Sequence, residues 1–154
     1  MSAVTLGIAS AGDAAQLAGL HAGSFPEGWD AAAIVSLLAA PGMHALTARH
    51  AGNLAGFVML RVAADEAEIL TLAVSPELRR QHIAQRLMVF AAAQASVAGA
   101  RSLFLEVASD NNAALALYRS LSFEDAGRRA NYYRRGTDYV DALVLRLDLT
   151  ALTA

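Results

Sequence analysis

The sequence predicts a single α/β domain of the α+β kind, with a mixed central sheet of about seven strands and helices on both faces. Three observations predict it. Runs that alternate apolar and polar residues with period two are interspersed with runs whose apolar residues recur at helical spacing. Three strand-like runs follow one another over residues 43–74, and a helix-like run then separates the last of them from a further strand, the pattern of a meander feeding a β-α-β unit. Finally, 154 residues without a repeat or a Pro/Gly-rich linker suit one domain over 1–154.

The elements follow in order. Residues 4–8 read as a first strand. Ser10 opens a helix to about Ala22, with Leu17 and Leu20 on its apolar face and Ser10 placed as N-cap. The stretch SFPEGWD (24–30) is a loop, and Asp30 caps a second helix over 31–39 that Pro41-Gly42 stops. Strands over 43–49, 54–63 and 68–74 are joined by turns at Gly52-Asn53 and Asp65-Glu66. Ser75-Pro76 ends the third, because proline donates no ladder hydrogen bond. The next helix runs to about Val97, with Ile83, Leu87, Phe90, Ala91 and Gln94 at helical spacing, and Gly99 ends it. SLFLEVAS (102–109) is a strand with few polar residues, as expected where both faces are covered. Asp110 or Asn111 caps a short helix over 111–122. A strand over 123–129, a loop around 131–138 and a last strand over 139–147 complete the chain. The order is β-α-α-β-β-β-α-β-α-β-β.

Composition excludes several function classes. The hydrophobic content of 56% is enough for a core without staples. With no cysteine there is no disulfide, thiolate metal site or cysteine nucleophile. A net charge of −2 supplies no general attraction to nucleic acid or to an anionic membrane. Lysine is absent, and no arginine precedes Arg49, which argues against a signal or transit peptide. No apolar run approaches the ~20 residues of a membrane span. The expectation is a soluble cytoplasmic chain, monomer or homodimer, with no nucleic-acid or membrane partner.

Four constellations could carry chemistry. SPELRRQHIAQRLM (75–88) joins a strand to a helix, and a helix start presents unpaired N–H groups that favour anions. Arg79, Arg80 and Arg86 stand around it, and arginine suits phosphate. The same turn also reads as a solvated helix start with ordinary surface arginines, because it lacks glycine. Glu106 lies in an apolar strand, where burial would suit it to act as a general base; the other reading is an exposed, solubilising glutamate. Tyr118 is either a proton donor or an amphipathic core tyrosine. RRANYYRRGTDY (128–139) is either a gripping surface or a solvated hairpin tip. His21, His44 and His50 have no metal-ligand spacing, so no metal is expected.

These stretches resemble the GNAT superfamily of N-acetyltransferases, and within it the RimI-type enzymes that acetylate the N-terminal alanine of a ribosomal protein. ILTLAVSPELRRQHIAQRL is similar to the superfamily's acetyl-CoA motif, and LFLEVASDNNAALALYRSLSF to its Leu-Glu-Val…Asn…Leu-Tyr…Gly-Phe block. RRANYY and DALVLRL resemble the closing hairpin of the RimI-type group, and HAGSFPEGW resembles its Phe-Pro-Trp segment with the tryptophan displaced by two residues. The resemblance implies acetyl-CoA as co-substrate and no metal. It implies that Glu106 takes a proton from the amine and Tyr118 protonates the departing thiolate. It also implies that Leu72, Ala73 and Val74 offer backbone groups to the cofactor, that Arg79, Arg80, Gln81, His82, Ile83 and Ala84 hold the pyrophosphate, and that Asn111 contacts the pantetheine arm or orders the site. Tyr132 and Tyr133 would line the substrate side.

Two departures stand out. His82 replaces the first glycine of the phosphate turn, which is tolerable if the residue has right-handed helical angles and its Cβ points away from the phosphates. Ser122 replaces a glycine that would serve a left-handed helix end. Three functions follow: an N-acetyltransferase for a protein N-terminus, one for a small amine such as a polyamine, or a degenerate acyl-CoA-binding module without catalysis.

Overall fold

A computed structural model describes residues 4–25, 28–79 and 82–150. The strands are β1 (Val4–Ile8), β2 (Met43–His50), β3 (Asn53–Ala63), β4 (Glu66–Val74), β5 (Ser102–Ala108), β6 (Glu124–Arg135) and β7 (Asp138–Asp148). The helices are α1 (Ala14–Ser24), α2 (Ala31–Ala39), α3 (Ile83–Val97) and α4 (Asn112–Ser120). They form one seven-stranded sheet ordered β1-β2-β3-β4-β5-β7-β6. Only β4 and β5 run parallel, and α3 is the crossover between them. No helix among the described residues is long and apolar enough to cross a membrane.

Alternation along the strands builds two core layers. Leu46, Val58 and Leu60 pack with Ile83, Leu87 and Ala91 of α3 and with Leu115 and Tyr118 of α4. Their neighbours Ala45, Phe57 and Met59 pack on the other face with Leu17 of α1 and Ile34 of α2. Gly56 allows α3 to sit close: a Cβ there would lie 2.9 Å from the Ala73 carbonyl oxygen and 3.1 Å from Leu87 Cδ1.

The caps follow sequence chemistry. The Ser10 N–H donates to the Asp13 carboxylate at 2.9 Å, a 3-10 turn over Ala11–Asp13 precedes α1, and Asp30 Oδ1 accepts the Ala33 N–H at 2.8 Å. At the end of α4 the Phe123 N–H donates to the Tyr118 carbonyl at 3.1 Å across Ser122, whose φ is +76°. That is the left-handed helix end expected at this position, built with serine.

Three expectations are corrected. The turn between β2 and β3 is centred on Ala51 (φ +52°) and Gly52 (φ +83°), with Asn53 already in the strand. The residues read as a loop at 131–138 are mostly strand: β6 runs to Arg135 and β7 starts at Asp138. Their polar side chains suggest a loop, but edge-strand pairing uses the main chain. His82 has φ +59° and ψ +20°, so it is left-handed and not right-handed helical.

Candidate active site

The two parallel strands separate part-way along. β4 and β5 pair from Glu66↔Ser102 to Glu68↔Phe104. Beyond that β4 stays with β3 up to Val74, while β5 stays with β7 up to Ala108. A cleft of about 960 Å³ opens between them, at the carboxyl ends of the parallel strands, where open α/β sheets bind ligands.

A bulge in β4 sets what faces this gap. Thr71 pairs with Met59 and Ile69 with Leu60, which leaves Leu70 as the extra residue. The Ser75 N–H bonds the Ala55 carbonyl at 2.7 Å. By alternation the main chain of Ala73 also turns toward β3, and the N–H and C=O groups of Leu72 and Val74 turn into the gap. Ala73 lines the cleft alongside them.

The cleft continues to the start of α3. Arg79 lies on its wall and its Nε is 3.4 Å from the Val74 carbonyl oxygen. Ala84 lines it too, whereas Ile83 is 1% exposed in the core beneath. Arg80 and Gln81 lie outside the described residues. Among the described residues no side chain caps α3 and the earliest helical bond runs from the Arg86 N–H to the His82 carbonyl at 3.0 Å, and a helix start has N–H groups without helical partners. The His82 ring is exposed, 3.2 Å from Gln85 Oε1, and is not on the cleft wall.

At the far end of the gap stand Glu106, Tyr118 and Tyr133. The Glu106 side chain is 23% exposed, and its Oε1 lies 2.8 Å from Arg129 Nε. That partner meets the need of a carboxylate in an apolar strand. It was not singled out in the sequence, because β7 separates β5 from β6 and only register brings the two residues together. Tyr118 is 9% exposed. Burial, and then the neighbouring Tyr133 phenol, push its pKa up to about 12. Burial also raises that of Tyr133, with the Glu106 charge the next cause. Asn111 caps α4, its Oδ1 accepting the Ala114 N–H at 3.2 Å, and lines the cleft as well.

Two walls flank this end. One is the β6–β7 hairpin, with Tyr133, Arg134 and Arg135 on the cleft. Arg135 holds both Asp110 oxygens at 3.2 Å and so ties the hairpin to the start of α4. Tyr132 is 51% exposed and does not line the cleft; it packs edge-on against Tyr133 at 5.1 Å with the Arg129 guanidinium 5.5 Å from its ring centre. The other wall carries His21 and Ser24 of α1 with Phe25 and Trp29 beyond its end. Sequence reading weighed His21 only as a metal ligand. No group of three His, Asp or Glu that could hold a metal occurs among the described residues.

Comparison with known proteins agrees with this architecture. The family model described as Acetyltransferase (GNAT) family matches residues 14–123. An N-alpha-acetyltransferase RimI of Mycobacterium tuberculosis is 36% identical over 153 residues, covering 94% of this chain and 92% of that protein. The [Ribosomal protein bS18]-alanine N-acetyltransferase of Escherichia coli K12 is 35% identical over 99 residues, covering 64% of this chain and 67% of that protein. The crystal structure of the Escherichia coli ribosomal-protein-S18-alanine N-acetyltransferase superposes with a TM-score of 0.88 at 26% identity, covering 96% and 94% of the two chains. With a splayed β4/β5 pair, a carboxylate and a phenol in the gap and these relatives, the chain belongs to the acetyltransferase (GNAT) family and is an N-acetyltransferase that uses acetyl-CoA.

Proposed function

We propose that the chain acetylates the α-amine of a protein N-terminus beginning with alanine, a ribosomal protein as in the relatives named for that reaction, and that it does so in the cytoplasm. The observation that carries the reading is the cleft in which Glu106 and Tyr118 meet the open edge of β4 between two walls. The main-chain groups of Leu72 and Val74, the N–H groups without helical partners at the start of α3 and the Arg79 cation fit a long, phosphate-bearing co-substrate. Acetyl-CoA supplies an activated acetyl thioester there.

Glu106 takes a proton from the attacking amine on the oxygen that Arg129 leaves open. An α-amine has a pKa near ~7.7–8.0, so roughly a tenth is already neutral at pH 7, and one carboxylate is a sufficient base. The acetyl carbon gains a bond to nitrogen and loses its bond to sulfur, and the electron pair leaves with sulfur. Tyr118 donates its O–H to that sulfur. With its pKa at about 12, against ~8.5 for an ordinary thiol, the phenol donates a hydrogen bond that strengthens as charge builds. Any proton it gives up is recovered from solvent. Asn111 acts through α4, by capping the helix that carries Tyr118. Tyr133 lines the acceptor side and Tyr132 backs it. Arg134 on the hairpin wall disfavours a polyamine, whose positive charges it would repel, while the Arg135 charge is taken up by Asp110.

His82 and Ser122, the two features that suggested a non-catalytic module, both hold the left-handed backbone that glycine would serve. The turn geometry is therefore kept without the glycines. The test is mass mapping of products from three acceptors: a peptide beginning with alanine, the same peptide with a blocked α-amine, and spermidine. Acetylation of the free α-amine alone is expected. Turnover of spermidine in preference to the peptide would replace the proposal with the small-amine reading.

A further inference from the structure

We propose that His21 is a positioning residue for the acceptor: as a neutral imidazole it latches Trp29 in place on one wall of the cleft, and its protonation releases Trp29. The inference rests on the acceptor reading above in placing the acceptor between this wall and the β6–β7 hairpin.

His21 is 4% exposed, although it borders the cleft. Its Nδ1 accepts the Trp29 N–H at 3.0 Å. Its carbonyl accepts the Phe25 N–H at 3.0 Å. The first bond belongs to the imidazole, and the second is the main-chain bond that ends α1. The ring stacks on Trp29 at 4.5 Å with 10° between planes and meets Phe25 at 4.4 Å. Phe57 of β3 lies 6.3 Å below.

An Nδ1 that accepts a hydrogen bond carries a lone pair, which fixes the tautomer with hydrogen on Nε2. Imidazolium has hydrogen on both nitrogens and nothing to offer the Trp29 N–H. Protonation therefore breaks the bond and leaves a cation among aromatic rings. Among the described residues the groups packed on the ring are uncharged: Phe25 just beyond α1, Trp29 ahead of α2 and Phe57 from the sheet. Burial pulls the proton affinity of His21 below the ordinary 6.5, and no charged group among the described residues contributes. A folded-state value below the unfolded one means the latch is closed above 6.5 and gives way as pH falls below it.

Trp29 is the only tryptophan in the chain, so its emission reports the contact without any assay of activity. The experiment titrates the emission of the full chain from about pH 8 to about pH 5, in the parent and in His21→Asn. The asparagine oxygen reaches the Nδ1 position and does not titrate there. In the parent, the emission is expected to change with a midpoint below 6.5, and in His21→Asn to stay flat. The KM for an alanine-initial peptide should rise with acid in the parent relative to His21→Asn, with the KM for acetyl-CoA alike in both. Flat emission in the folded parent, or an equal titration in His21→Asn, overturns the latch, and the parent titration alone decides it if the variant fails to fold. A parent that does not turn over the peptide refutes the acceptor reading, while the emission still judges the latch.

Discussion

Arg129 Nε sits 2.8 Å from Glu106 Oε1, across the width of β7. The bond occupies one carboxylate oxygen and fixes the plane of the group, leaving the second oxygen for the acceptor. Arg129 is itself seated against the Tyr132 ring. The pair is a positioning device more than a source of stability, because half-exposed ion pairs contribute only ~0–1 kcal/mol. Arg129→Ala should therefore lower stability by less than about 1 kcal/mol. It should lower kcat by about tenfold to a hundredfold through misplacement of the base, with the KM for acetyl-CoA unchanged. Denaturant melts and steady-state kinetics check this. Arg129→Lys should recover only part of the loss, since an ammonium lacks the guanidinium's fixed planar geometry.

His82 and Ser122 occupy left-handed backbone at φ +59° and +76°. An L-residue held there costs roughly 1–2 kcal/mol, partly offset because glycine loses more entropy on folding. Ser122→Gly should stabilise the chain by about 0.5–1 kcal/mol, which is ~1–4 °C in Tm. His82→Gly should stabilise it as well. It should leave the KM for acetyl-CoA within about tenfold, or ~1.4 kcal/mol, because the ring lies off the cleft. Calorimetric melts and cofactor kinetics of the two variants check this.

Tyr118 keeps its proton across the whole working range. Its folded-state pKa of about 12 exceeds the ordinary 10. The stability it contributes through protonation is thus complete below pH 10 and is lost as pH rises toward 12. Tyr118→Phe should cut kcat about a hundredfold, with little change in acceptor KM or Tm. The pH–rate profiles of parent and variant should share any alkaline limb below pH 10. An alkaline limb there that vanishes in Tyr118→Phe would show an ionising phenol and contradict the burial argument.

Much of this was legible in the sequence because the signals are local. The order of elements followed from alternation, helical spacing and turn residues. The Asp30 cap, a cap at Asp110 or Asn111 and the Gly99 stop were each readable within a few residues, whereas the left-handed end at Ser122 followed only from the family resemblance. What was not legible depends on register or long-range packing. The bulge at Leu70, the splay of β4 from β5 and the Glu106–Arg129 pair arise from how strands distant in sequence align. The outer half of β6 was misread because Asn131 to Arg135 look like a loop, while an edge strand is held through its main chain. His21 was passed over because its partner is a backbone N–H eight residues away, which leaves no side-chain motif. Tyr132 and Tyr133 are adjacent in sequence but on different sides of the hairpin wall, and only the structure separates them.

The most direct test of the account is kcat/KM of Glu106→Gln for an alanine-initial peptide, measured alongside its affinity for acetyl-CoA. Glutamine keeps the shape and a hydrogen-bond acceptor for Arg129, but it cannot take a proton from the amine. The account predicts a fall of about a hundredfold to ten-thousandfold, with a folded chain and acetyl-CoA affinity within about threefold of the parent, under 1 kcal/mol. Activity within about twofold of the parent would remove Glu106 from the chemistry and contradict the account.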